Sequence, residues 1–384
     1  MVTQGSKSPA MEHDKGCRQL PQASAKMTNK GASRCLTGPK IVLMVVGIIG
    51  LLIVVVAVPI IVSDLKKDNN SNCAPNGLQW NTTGITVLSS SQLTHISGLY
   101  IDSNDTLYTV DEYSNGVVWK VPKNTLTPIL VAGILQSAGS NASQFNYPQD
   151  VYVDSQSNVY VTDLNNNRVQ KFVNQSTTGQ TIAGISGSSG VALNQFNGLR
   201  YFTFDPTETY MYITDYNNHR IMRYLTNATT GDSGTLVAGG GNGAGNNNNQ
   251  LNSPWGIYYL PSVSNYMYIT NYDGNTLMRW IPGASSGELI AGIPNLTGSS
   301  SSLLSNPMGV KIDIYQNVFV VDRNNNRVQM FCPNSSIGIT IAGNVVSGSA
   351  ATQLNGPRGI AFDSSMNMYI TDYSNYRIQK FNKL

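Results

Sequence analysis

One phrase recurs along most of this 384-residue chain. Its fullest copies read hydrophobic–Tyr–hydrophobic–Thr–Asp, and its acidic or amide end falls at Asp111, Asp163, Asp215, Asn271, Asp322 and Asp372. The intervals are 52, 52, 56, 51 and 50 residues. A period near 50 is too long for a leucine-rich or ankyrin unit and suits a four-stranded propeller blade. Each unit divides into four strands. In the second unit "DVYVD", "NVYVTD", "RVQKFV" and "QTIAG" follow one another, with Asn, Gly, Ser and Asp between them. Those residues accept left-handed or Asx-turn geometry. A blade packs both faces against its neighbours, so neither face tolerates strong charge. Only 12% of the residues are charged, in keeping with this requirement.

The expected fold is therefore all-β, a six-bladed propeller. Six second-strand phrases are present, but only five fourth strands follow them, because the chain ends at "MYITDYSNYRIQKFNKL". Ahead of the first unit stands "NTTGITVLSS", residues 81–90, which parallels "STTGQTIAG" at 176–184. A strand over 85–89 is thus expected to complete the sixth blade from the other end of the domain. Such pairing closes the ring and removes an exposed sheet edge. The propeller then covers 80–384, behind a short stalk at 63–79.

Residues 41–62, "IVLMVVGIIGLLIVVVAVPIIV", carry no charge. A run of this length spans a hydrocarbon core of about 30 Å as a helix. Pro59 lies near its far end, where a bend is tolerated. A cleaved signal peptide fits less well, because the run is long and begins 40 residues in. Residues 1–40, a polar tail expected to be disordered, hold seven Lys or Arg against Glu12 and Asp14. Beyond the run, Lys66 and Lys67 are offset by Asp64 and Asp68. This asymmetry places the N-terminus in the cytoplasm. The expected arrangement is a single-pass type II protein with an extracellular or lumenal propeller, at the plasma membrane by default. Eight N-x-S/T sequons, at Asn69, Asn81, Asn104, Asn141, Asn174, Asn227, Asn295 and Asn334, all follow the apolar run. Their one-sided placement agrees with an ectodomain of the secretory pathway.

The recurring pattern, a glycine before a hydrophobic strand and then "NVYVTD..NNRVQ.F", resembles the NHL repeat over nearly all of 80–384. The second, third, fifth and sixth units match well. The first, "LYTVDEYSNGVVWKV", and the fourth, "MYITNYDGNTLMRW", depart from it. The resemblance implies a six-bladed propeller, in agreement with the repeat count. Such propellers occur in tripartite-motif RNA-binding proteins, bacterial receptor kinases, teneurin-like adhesion proteins and the amidating lyase of peptide hormones. It leaves function open.

Asp163/Arg168, Asp215/Arg220, Asp322/Arg327 and Asp372/Arg377 recur at one spacing. A catalytic group is needed once, so these pairs are expected to build turns. The amidating-lyase relatives use zinc held by several histidines. Here only His95 and His219 follow the apolar run, and His219 replaces an Asn in a turn phrase. With no Cys cluster, three ligands of the usual kind are not available. No metal and no cofactor are expected, and no catalytic residue is assigned. A lactonase-type calcium site could be built from Asp and Asn alone, but no unrepeated acidic cluster marks one. Glu112, Glu208 and Glu288 are far apart in the sequence. Beyond residue 62 lie 17 Lys and Arg and 19 Asp and Glu. Without a basic footprint, nucleic acid is not an expected partner.

One position, just ahead of each innermost strand, differs from unit to unit: Ser97, Gln149, Arg200, Trp255, Met308 and Arg358. Trp, Met and Arg are enriched at interface centres. From Gln149 onward these residues are the candidate binding rim. Cys73 in the stalk and Cys332 at the end of the fifth unit's third strand are expected on one face of adjacent blades. In an oxidising compartment they would form a disulfide. Free thiols, or a Cys73–Cys73 bond between chains, are the alternatives. Two functions follow. The first is a recognition or adhesion propeller for a protein, peptide or glycan. The second is a secretory-pathway enzyme of lyase or lactonase type. Oligomeric state is left open.

Overall fold

The computed structural model describes residues 78–384, apart from 114 and 242. The tail, the apolar run, Asn69 and Cys73 lie outside the described residues. Among the described residues no helix is long and apolar enough to cross a membrane.

Runs of β-branched and aromatic residues, broken by Asx and Gly turns, fold into six four-stranded antiparallel sheets. Five blades take their strands in chain order: 96–133, 148–184, 199–239, 254–291 and 307–343. The sixth blade has Ile360–Phe362 innermost, then Met368–Asp372 and Arg377–Phe381, and its outer strand is Ile85–Leu88. That strand is one residue shorter than the sequence suggests. It runs antiparallel to the last strand, with Ile85 opposite Lys380 and Leu88 opposite Ile378. Leu88 packs on Leu93, Ile96 and Ile378 of the first and sixth blades. Trp80 is buried, stands edge-on to Phe319 at 5.5 Å and donates from Nε1 to the Met366 carbonyl at 2.8 Å. The two ends of the domain are thus held together by backbone pairing and by apolar contact.

Apolar residues fill the spaces between blades. Val110, Val118 and Ala132 of the first blade meet Val151, Val161 and Phe172 of the second, for example. Burying a large apolar side chain of this kind stabilises by roughly 1.5–3 kcal/mol.

The repeated polar residues tie loops to strands. Each Arg Nε donates to its Asp: Arg168 to Asp163 at 2.9 Å, Arg220 to Asp215 at 2.7 Å, Arg327 to Asp322 at 2.8 Å and Arg377 to Asp372 at 2.7 Å. The remaining guanidinium donors reach carbonyls of the loop ahead of the blade, such as Ser140, Asn141 and Gln144 for Arg168. Each Asp also accepts a backbone N–H from that loop, at Asn146, Asn197, Ser305 and Asn355. Burial pushes all four carboxyls up, opposed by these donors and by the neighbouring guanidinium. In the first blade Val117 replaces the Arg, and Asp111 accepts instead from Thr94, His95 and Asn115.

One turn position stitches blade to blade. Gly116, Asn167, His219, Asn275, Asn326 and Tyr376 all lie in the left-handed region, with φ between 50° and 56°. Asn275 and Asn326 accept backbone N–H groups of the next blade, from Asn306 and Gly356, each at 2.9 Å. His219 does the same through Nδ1, from Ser253 at 3.1 Å. The sequence suggests an exposed turn residue at 219. The side chain is instead half-buried, because this acceptor role draws it into the seam between blades.

Candidate binding site

Every inner strand starts at one end of the central channel. In five of the six its pairing is interrupted there, between Ile96 and Leu99, Pro148 and Asp150, Leu199 and Phe202, Pro254 and Ile257, and Pro307 and Val310. A bulge re-aims side chains and leaves backbone groups without ladder partners. The Thr of the recurring phrase meets that need. Thr214 donates to the Tyr201 and Trp255 carbonyls, Thr270 to the Met308 carbonyl, and Thr371 to the Ser97 carbonyl. Three of these bonds cross to the next blade. The following Gly is required by the same close approach. A Cβ at Gly309 would lie 2.7 Å from the Arg358 carbonyl oxygen, and one at Gly359 would lie 2.9 Å from that of Ser97.

These bulges bring the variable residues together at the channel mouth. Arg358 Nη1 donates to Glu112 Oε1 at 2.7 Å. Gln149 Nε2 donates to Glu112 Oε2 at 2.5 Å, and Gln149 Oε1 accepts from Arg200 Nη1 at 2.9 Å. Arg200 lies over the Trp255 ring at 4.1 Å and faces Tyr216 at 4.9 Å. Trp255 packs with Met308 and Tyr201. Contact therefore passes from the sixth blade through the first four to the fifth. Arg358 also lies over the Tyr373 ring at 3.4 Å. Beside the mouth, His95 lies among Tyr113, Tyr373 and Tyr376, and Tyr113 meets Tyr147 at 4.6 Å.

Donors exceed acceptors in this network. Arg200 has no carboxylate within 4.0 Å among the described residues. The Nε atoms of Arg200 and Arg358 and Nε1 of Trp255 are buried without a hydrogen-bond acceptor among the described residues. Burial lowers the Arg200 pKa, with Arg358 adding to the effect and Tyr216 and Glu112 opposing it. The guanidinium nonetheless stays charged, since its ordinary value is so high.

The rim is more deeply set than its sequence pattern suggests. Trp255 is 5% exposed and Met308 1%, while Ser97 and Gln149 are fully covered. Only Arg200 and Arg358 reach intermediate exposure. The bulge turns these side chains into the channel rather than up into solvent. Sequence reasoning missed Glu112, the acceptor at the centre of the network, and the Tyr216 and Tyr373 platforms. A signal existed. All three directly follow the recurring Asp, at a position that reads Glu112, Leu164, Tyr216, Tyr272, Arg323 and Tyr373 across the six units. Position-by-position reading of the repeat would have separated them from the scaffold.

The seven described sequon asparagines, Asn81, Asn104, Asn141, Asn174, Asn227, Asn295 and Asn334, are all exposed. Cys332 is buried, and Cys73 lies outside the described residues. Among the described residues no three His, Cys, Asp or Glu side chains come together as metal ligands.

The family model of the NHL repeat matches residues 145–172, from the loop before the second blade through its third strand. The chain is a six-bladed β-propeller that carries an NHL repeat. No curated protein matches it. Several solved structures share the fold. A protein of unknown function from Bacteroides thetaiotaomicron has 15% identity and a TM-score of 0.59, over 80% of this chain and 73% of that one. A gluconolactonase from Xanthomonas campestris has 13% identity and a TM-score of 0.56, over 80% and 91%. Virginiamycin B lyase from Staphylococcus aureus has 13% identity and a TM-score of 0.51, over 79% and 99%. At such identities the likeness is one of fold, which hosts both catalysis and binding.

Proposed function

We propose that this protein is a recognition propeller whose channel mouth binds an acidic group on a protein, peptide or glycan, without catalysis. The observation that carries the reading is Arg200. Its guanidinium lies 4.1 Å from the centre of the Trp255 ring and 4.9 Å from that of Tyr216, is joined through Gln149 to the rest of the mouth, and has no carboxylate within ion-pair distance among the described residues. A guanidinium held against an aromatic ring is pre-organised for a carboxylate or sulfate. The neighbouring rings of Tyr113, Tyr147 and Tyr376 offer faces on which a sugar or a peptide side chain can stack.

The same reading places the propeller outside the cytoplasm, held by a single-pass anchor at 41–62. Three sequence features support this: the uncharged run, the basic residues ahead of it and the sequons behind it. The partner is then extracellular or lumenal.

Glycan and peptide arrays probed with the full chain test the function. Acidic glycans or acidic peptides should be retained in preference to their neutral counterparts, and retention should fall as salt is raised. Equal retention of neutral and acidic members would contradict the proposal.

A further inference from the structure

The opposite end of the channel holds a cavity of about 580 Å³. Between the two ends lies a level at which four inner strands carry glycine, at Gly98, Gly256, Gly309 and Gly359. Asp150 and Tyr201 hold the other two places at that level. The Asp150 carboxylate fills the space that a side chain at Gly98 would take.

The cavity wall can be read across the blades as the mouth was. One register position on the six inner strands gives Tyr100, Tyr152, Thr203, Tyr258, Lys311 and Ala361. All six line the cavity. Tyr152 stacks on Phe204 at 4.0 Å and leans on Tyr100 at 4.7 Å. The small Thr203 and Ala361 leave room between the rings. Lys311 is the one cation on this ring. Its Nζ lies 4.2 Å from the centre of the Tyr258 ring and makes no hydrogen bond or ion pair among the described residues. Asp150 shares the cavity but lies beyond ion-pair distance, and its Oδ2 already accepts from the Phe202 N–H at 3.3 Å; Lys383, Asp205, Asp313 and Asp363 line it as well, the three carboxylates accepting from turn N–H groups of Tyr210, Asn317 and Asn367.

We infer that this cavity is a second binding site, for a small aromatic monoanion whose acidic group pairs with Lys311 and whose ring lies among Tyr100, Tyr152 and Tyr258. The volume lies within the roughly 300–1,000 Å³ usual for small-molecule sites. Lys311 is half-buried; a charge partly withdrawn from water is costly without a counter-charge, and an anionic ligand would supply one. Burial pushes Lys311 down, opposed by the charge of Asp150, and pushes Asp150 up toward its neutral acid.

The test uses the full chain and three probes of one shape: phenylacetate, its neutral amide phenylacetamide, and the cation phenethylamine. Binding is followed by saturation-transfer NMR and calorimetry. Phenylacetate should bind at least tenfold more tightly than the other two. Lys311→Met should bring phenylacetate to within about twofold of phenylacetamide without lowering the melting temperature. Ala361→Leu, which fills the cavity and keeps Lys311, should weaken all three probes. Arg200→Met, which removes carboxylate binding at the mouth, should leave the Lys311-dependent preference for phenylacetate unchanged. No binding by any probe, equal binding of the three, a preference for the cation, or a preference for phenylacetate that survives Lys311→Met would each overturn the assignment.

Discussion

His219 shows how a single residue can be read wrongly from a repeat and then explained by it. In the sequence it is an Asn replaced in a turn, one of two histidines too few for a metal site. In the fold it keeps the work of the Asn. Its backbone is left-handed, at φ 53°, and its Nδ1 accepts the Ser253 N–H of the next blade. A protonated imidazole has no acceptor left. Burial holds the His219 pKa below its ordinary value, with the charge of Asp273 in opposition. The unfolded chain therefore takes up a proton at a higher pH than the folded one, and stability falls as pH is lowered through that window. Comparing denaturation midpoints between about pH 7.5 and about pH 5 should show a steeper loss for the parent than for His219→Asn, which keeps an acceptor but does not titrate. Parallel pH profiles would show that this bond contributes little. The deeply set mouth was illegible for a related reason. A sequence shows which positions vary, as at Trp255 and Arg358, but a bulge decides whether they face solvent or the channel. The aromatic ring of Tyr100, Tyr152 and Tyr258 reads as ordinary strand alternation until six blades are set around one axis.

The element on which the ring depends is the short strand Ile85–Leu88. It was legible because "NTTGITVLSS" repeats a phrase that elsewhere precedes an outer strand, and because the last unit lacks one. Its length was less legible, since the register shifts between Thr86 and Leu88 and pairing stops there. The strand does more than cover an edge. Leu88 is fully buried, and Trp80 ahead of it fills a space between the fifth and sixth blades. Deleting residues 80–91 would remove both side chains and leave Arg377–Phe381 as an unpaired edge, a template for aggregation. Loss of Trp80 alone is worth roughly 3–5 kcal/mol by analogy with other buried tryptophans. The deletion should abolish cooperative thermal unfolding and yield aggregated protein in size-exclusion chromatography. A monodisperse product with an unchanged melting temperature would reduce these residues to a linker. The departures in the first and fourth units also make sense at this scale. Asn271 and Thr276 bond to each other at 3.2 Å where other blades have Asp and Arg, so the turn survives without the ion pair.

At the scale of the molecule, repetition and variation divide the labour. What recurs builds the ring: Asp/Arg pairs fasten loops, Thr hydroxyls bind bulge carbonyls across blades, and glycines permit the close approach. What differs gathers at the two ends of the channel, where one network spans several blades around Glu112 and one cavity surrounds Lys311. The central claim is that the mouth recognises an acidic group through Arg200. Arg358 is the poorer residue to test. Its removal would leave the buried Glu112 without its cation, and breaking such a pair costs on the order of 3–5 kcal/mol. Arg200→Met keeps an apolar contact with Trp255 and orphans no carboxylate. The decisive measurement is the dissociation constant for the acidic ligand selected on the arrays, compared between Arg200→Met and Arg223→Met, a control at an outer arginine on the third strand of the third blade. The account predicts at least tenfold weaker binding for Arg200→Met, about 1.4 kcal/mol or more, with Arg223→Met at the parental value and both variants at the parental melting temperature. Equal affinity for the two variants, with both folded, would contradict it.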